Sequence, residues 1–247
     1  MWSRRRRRLV CLAPLACGLL VSACGGGVFK REHEYEEEVY LALDGSATVT
    51  VNASVASLVA LRGVDLNVSP RARIDRLRVR AMFEGPEAVV TRVTLYRRHG
   101  RRFVFVSLDV ASLRQLRGIA PLAWSTYGFD RRANDFEFRQ ILGPSAGLSV
   151  GEVGWHGDEL VAFRVHAPSR IVVHNAPRGI QRGNILEWEQ PLGERLKGAP
   201  LELRAQLEPE SILYSALLLF ASTIVLAAIA FAIVVWRVAR KHPGGRR

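Results

Sequence analysis

"EEEVYLALDGSATVTVNASV", residues 36–55, decides the fold class. Val39, Leu41 and Leu43 alternate with Tyr40 and Ala42. Past Asp44-Gly45 the alternation resumes, with Val49, Val51 and Ala53 set against Thr48, Thr50 and Asn52. A period of two puts each set on its own face of a strand, and the glycine supplies the positive φ of a tight turn. The stretch predicts a β-hairpin. Glu36 to Glu38 read as its solvated end.

Working toward the C-terminus, "ASLVALRG" predicts a short helix stopped by Gly63. "SPRARIDRLRVRAMFEGP" fits two patterns. Leu77, Val79, Ala81 and Phe83 alternate with arginines as a strand would. A helix is preferred, because Ser69-Pro70 suits an N-cap and first turn, Ile74, Leu77 and Ala81 share a helical face, and Gly85-Pro86 is a stop. "VVTRVTLYRRHGRRFVFVSLDV" predicts a second hairpin turning at His99-Gly100, and "ASLRQLRG" a short helix. From Trp124 to Leu207 the chain reads as strands and turns. Hairpins interspersed with isolated helices imply an α+β domain, mainly antiparallel sheet with a few short helices.

The two ends carry topology signals. Arg4 to Arg8 followed by apolar Leu9 to Ala23 form a secretion signal, because fifteen residues make a helix of about 22 Å, shorter than a bilayer core. Val21-Ser22-Ala23-Cys24 resembles the bacterial lipoprotein signal, in which the cysteine is acylated, and Gly25-Gly26-Gly27 then forms a flexible leader. Cys11 and Cys17 leave with the signal, so a chain acylated at Cys24 has no disulfide and no cysteine metal site. At the other end, Ile212 to Trp236 contains no charge and no proline, and as a helix of about 37 Å it spans a bilayer. Basic residues after it place the tail in the cytoplasm. The organisation expected is a signal peptide (1–23), a lipidated leader (24–30), an extracytoplasmic α+β domain (31–208), a transmembrane helix (211–236) and a basic cytoplasmic tail (237–247).

A formal charge of +12 suggests nucleic acid, but its distribution removes that reading. Of 35 Lys and Arg, five are Arg4 to Arg8 and five are Arg237, Arg240, Lys241, Arg246 and Arg247, leaving 25 against 23 acidic residues. A domain near +2 lacks the field that holds a polyanionic duplex.

The cysteine at position 24, the early hairpin around Asp44-Gly45 and the single C-terminal span together resemble the LppM-like bacterial lipoproteins. So does the closing segment "HAPSRIVVHNAPRGIQRGNILEWEQPL … PLELRAQL", with Pro168, Asn175, Gly183-Asn184 and Trp188 in order and Leu201, Leu203 and Ala205 alternating. The resemblance covers the ends of the domain better than its middle. It implies an envelope-exposed mixed α/β domain with lipid-binding capacity, and no catalytic residues.

Motifs for chemistry are weak. Gly143-Pro144-Ser145-Ala146-Gly147 matches a nucleophile elbow, but the glycine-rich "LSVGEVGWHGDE" after it does not start the required helix, so a turn is expected. His33, His99, His156, His166 and His174 are scattered. Only His166 and His174 could meet across neighbouring strands, and no metal site is assigned. Asn52-Ala53-Ser54 and Asn67-Val68-Ser69 match the glycosylation pattern, relevant only without lipidation. No catalytic constellation and no cofactor is expected.

Two features remain as binding candidates. The hairpin tip "YRRHGRR" gathers Arg97, Arg98, Arg101 and Arg102, a cationic cluster suited to lipid headgroups or an acidic envelope partner. Trp188 brings the largest apolar area of its segment, either to the core or to a ligand wall. The expected function is a membrane-anchored lipoprotein with a binding or assembly domain, its partners being membrane lipids and an envelope protein or lipid ligand. An envelope hydrolase with a dispersed site and a subunit of a membrane complex, packing through Ala221, Ser222, Ala227 and Ala228, fit the same features.

Overall fold

The computed structural model describes residues 33–241; Cys24, the signal sequence and the last residues of the basic tail lie outside them. The first hairpin is β1 (His33–Leu41) and β2 (Ala47–Ser54), with Leu41 opposite Ala47 and Gly45 at φ 88 in the turn. Ser54 caps α1 (Val55–Arg62) by accepting from the Ser57 amide, and Gly63 ends it in the left-handed conformation. The second hairpin, β3 (Ala88–Arg98) and β4 (Arg101–Val110), turns on two residues, with both His99 and Gly100 at positive φ.

A helix does form in the ambiguous segment, as α2 (Arg76–Phe83), but it starts later than Ser69-Pro70. Asp75 is the N-cap. Residues 69–72 instead form a turn closed by Ala72 N to Ser69 O, and the Arg102 guanidinium pins it by binding the carbonyls of Asn67 and Ala72. The buried pair is Val79 and Phe83, an i, i+4 stripe, while Leu77 is exposed.

After a 3₁₀ turn (Leu113–Gly118) come β5 (Ser125–Arg131), β6 (Phe136–Leu142), β7 (Leu160–His166), β8 (Ser169–His174) and β9 (Ile185–Pro191). A five-residue α3 (Leu192–Leu196) that periodicity missed leads into β10 (Leu201–Ser211). β10 runs without a spacer into α4 (Ile212–Lys241). Within α4, Ala216–Arg237 is long and apolar enough to cross a membrane, and none of that window is buried against the domain.

The strands make two sheets, β3-β4-β2-β1-β7-β9 and β5-β6-β10-β8. Every pairing is antiparallel except β1 with β7. The inner faces meet over one apolar core that includes Val51, Val106, Phe163, Phe138 and Leu203.

The register orients the domain. Ser211 pairs with Ser169, and Ile212 donates to the Pro168 carbonyl, so the end of β7 and the start of β8 lie where α4 leaves. Following the pairings across the larger sheet puts Leu41, Ala47, Val110 and Ala88 at that same end. The tip of the second hairpin lies at the opposite end.

Candidate functional site

The four tip arginines do not form one cluster. Arg97 pairs with Arg102 and Arg98 with Arg101 across the hairpin, and strand alternation sends the pairs to opposite faces. Arg98 stacks on Phe103, with Cζ 4.2 Å from the ring centroid, and donates to the His33 carbonyl. Arg101 is neutralised by the buried Glu34 at 3.1 Å, and it also donates to Gly154 O.

Arg97 and Arg102 instead join two arginines that periodicity did not single out. Arg71, Arg73, Arg97 and Arg102 line an open groove of about 440 Å³ at the β3 edge, together with Ala72, Ile74, Leu95 and Tyr96. Among the described residues none of these four cations has a carboxylate partner. Arg97 donates to Pro70 O at 2.8 Å, and Arg102 is spent on loop carbonyls. Burial and the adjacent Arg97 charge lower the Arg102 pKa, the sign of positive charge left uncompensated. A groove with Ile74 and Leu95 in its walls and four guanidiniums that lack carboxylate partners is suited to an anionic group carried on a partly apolar body.

Tyr96 links this groove to a chain of polar side chains on the outer face of the larger sheet. Its hydroxyl donates to Asn52 Oδ1 (2.6 Å), and Asn52 Nδ2 donates to Glu36 Oε2 (2.9 Å). His33 bridges Glu36 (2.9 Å) and Glu189 (2.7 Å) through its two ring nitrogens. Arg178 joins Glu189 to Glu187, whose Oε1 accepts from both Nε and Nη2 of Arg164. Arg164 also reaches Glu38 (2.9 Å), which accepts from Tyr40, itself stacked on His166. Burial pushes Glu36 up, but hydrogen bonds from His33 and Asn52 and the Arg164 charge outweigh it and bring its pKa to about 2. The His166 ring nitrogen, 3.4 Å from Oε2, leads the causes that hold Glu38 at about 2. His33, Glu187 and Glu189 could surround a cation by distance, but Arg164 and Arg178 already occupy both carboxylates.

The expectation of a solvated acidic end at Glu36 to Glu38 is therefore corrected. Glu36 and Glu37 are buried and Glu38 is half-buried. Alternation turns Glu36 and Glu38 outward into that network and Glu37 inward between the sheets. There Glu37 accepts from Tyr35, Tyr127 and Gln140, each at 2.7 Å, with Arg62 Nη2 at 3.8 Å.

Trp188 is a core residue, 2% exposed, its indole N–H held by Asn175 Oδ1 at 3.0 Å. His166 and His174 belong to different sheets and do not meet. Gly143–Gly147 is an irregular strap with no helix after it, and Ser145 donates to the Leu196 carbonyl. A Cβ on Gly143 would overlap the Trp124 carbonyl oxygen, which explains a glycine there.

No protein-family model matches the chain. No curated protein matches it either. Among solved structures, the NMR structure of the folded domain of Mycobacterium tuberculosis LppM is similar over 74% of this chain and 94% of that domain, with 16% identity and a TM-score of 0.38.

Proposed function

We propose that this protein is a membrane-anchored envelope module that acts by binding, holding an anionic ligand in the groove lined by Arg71, Arg73, Arg97 and Arg102. The observation that carries the reading is the convergence of four guanidiniums without carboxylate partners on one groove with apolar walls. The anchor is α4, supported by its length and apolarity, with acylation of Cys24 as the second tether.

Distance selects the class of ligand. Leu95 lies seven residues along β3 from Ala88, about 23 Å beyond the end from which α4 leaves. Screening in physiological salt reduces surface electrostatics over roughly 8 Å. With that end facing the bilayer, headgroups of the anchoring membrane sit several screening lengths away. The ligand that fits is a phosphate- or carboxylate-bearing envelope polymer projecting past the membrane surface.

The test is a titration of the full chain, in neutral lipid nanodiscs, with inorganic polyphosphate. Arg71, Arg73 and Arg97 are changed together to Ser, while Arg102 is kept because it holds the loop. At about 1 kcal/mol or more per cation, the triple variant loses at least a hundredfold in affinity. Equal affinity for both proteins refutes the groove as the binding site.

A further inference from the structure

Arg62 ends α1, and its side chain is fully buried between the sheets. Trp124 and Tyr35 cover the guanidinium, their ring centroids 3.1 and 4.0 Å from Cζ. The donors of a guanidinium lie in its plane, so a stacked one can hydrogen-bond only along its edge. Glu37 does not satisfy that edge. Its oxygens already accept from three neutral donors, and Nη2 of Arg62 stays 3.8 Å away, an electrostatic contact without a hydrogen bond.

As a result Nε, Nη1 and Nη2 of Arg62 have no protein acceptor. The same holds for the Trp124 indole N–H, the Ser125 hydroxyl beside it and Nε of Arg195. Arg195 is a second fully buried guanidinium, with Cζ 5.4 Å from the same Trp124 ring. Burial and the Arg62 charge lower the Arg195 pKa, while burial holds Tyr35 and Tyr127 neutral. Arg195 gives Nη1 and Nη2 to the carbonyls of Ala199 and Gly143 and has no carboxylate partner among the described residues, so Glu37 is the one counter-charge in contact with either guanidinium. Water can cap orphaned donors, but it does not offset surplus charge in a low-dielectric interior.

We propose that the unsatisfied edge of the buried Arg62 guanidinium binds a small monovalent anion of the halide class, with Arg195, on the same Trp124 ring, as the second cation. Such an anion supplies both the missing acceptor and the missing charge. This centre is separate from the arginine groove and does not depend on what the groove binds.

The test measures thermal unfolding of the full chain in detergent at constant ionic strength, in chloride, in bromide and in gluconate, which is too large for a closed site. The expected midpoint in gluconate is about 3 °C below that in halide. Arg62→Met abolishes the difference. A crystal grown in bromide shows an anomalous peak in the Arg62 plane. Identical midpoints in all three salts overturn the proposal, as does a halide dependence that survives Arg62→Met, since the anion then binds elsewhere. If Arg62→Met fails to fold, the crystal decides alone: bromide at Arg62 upholds the site, and water only overturns it.

Discussion

Replacing Glu37 by Leu tests the centre between the sheets. The substitution leaves Arg62 buried without its counter-charge and strands the hydroxyls of Tyr35 and Tyr127 and the Gln140 amide, which now share one carboxylate. Removing one partner of a buried pair costs about 3–5 kcal/mol, and orphaned neutral donors add to that. Against a total stability of about 5–15 kcal/mol, Glu37→Leu alone should bring the domain close to unfolding. Each kcal/mol lowers the midpoint of a domain this size by about 2–4 °C, so a drop of 10 °C or more is expected. The double variant Glu37→Leu/Arg62→Met also removes the stranded cation and should recover about 2 kcal/mol of the loss, because a buried pair replaced by apolar side chains is often neutral. The assay is thermal unfolding of the full chain in detergent, followed by far-ultraviolet circular dichroism. A double variant no more stable than Glu37→Leu would refute the coupling. A Glu37→Leu midpoint within 1 °C of wild type would show that Glu37 is not buried at all.

Acid should weaken the outer-face network in a defined window. Glu36 and Glu38 fold with pKa values of about 2 against an unperturbed 4.5, so the unfolded chain binds more protons between those limits. Their stabilisation is complete above pH 4.5 and is lost as pH falls toward 2. Urea unfolding at stepped pH should show that slope in wild type and a shallower one in Glu36→Gln; equal slopes would remove Glu36 from the network. Gly143→Ala should destabilise by about 1–3 kcal/mol through its overlap with the Trp124 carbonyl, whereas Gly118→Ala, with open space around it and no left-handed backbone, should cost less in the same unfolding assay.

Much of the fold was legible because its signals are local. Alternation around Gly45 and Gly100, the stop at Gly63 and the uncharged run in α4 each lie within a few residues of the structure they specify. What was hidden depends on partners far along the chain. Three consecutive glutamates read as solvent-facing because acidic residues usually are, yet Glu37 is met by Arg62, Tyr127 and Gln140, and Glu36 by Asn52 and Arg164. The parallel pairing of β1 with β7 has no local cue. The register divides the arginines of the second hairpin tip. Composition located Arg97 and Arg102 but could not separate them from Arg98 and Arg101, although strand alternation alone sends the two pairs to opposite faces. Arg71 and Arg73 were missed because their segment looked like the first turn of a helix, and only the Arg102 contacts make it a groove wall.

The central claim is that the unpaired arginines act at the end of the domain away from the anchoring bilayer. Polyphosphate affinity of the full chain, compared between nanodiscs of neutral lipid and nanodiscs rich in anionic lipid at physiological salt, tests it most directly. The account predicts the same affinity in both, since the groove lies about 23 Å from the end where α4 leaves. An affinity that falls tenfold or more in the anionic discs would mean that the headgroups themselves occupy the groove, and would contradict it.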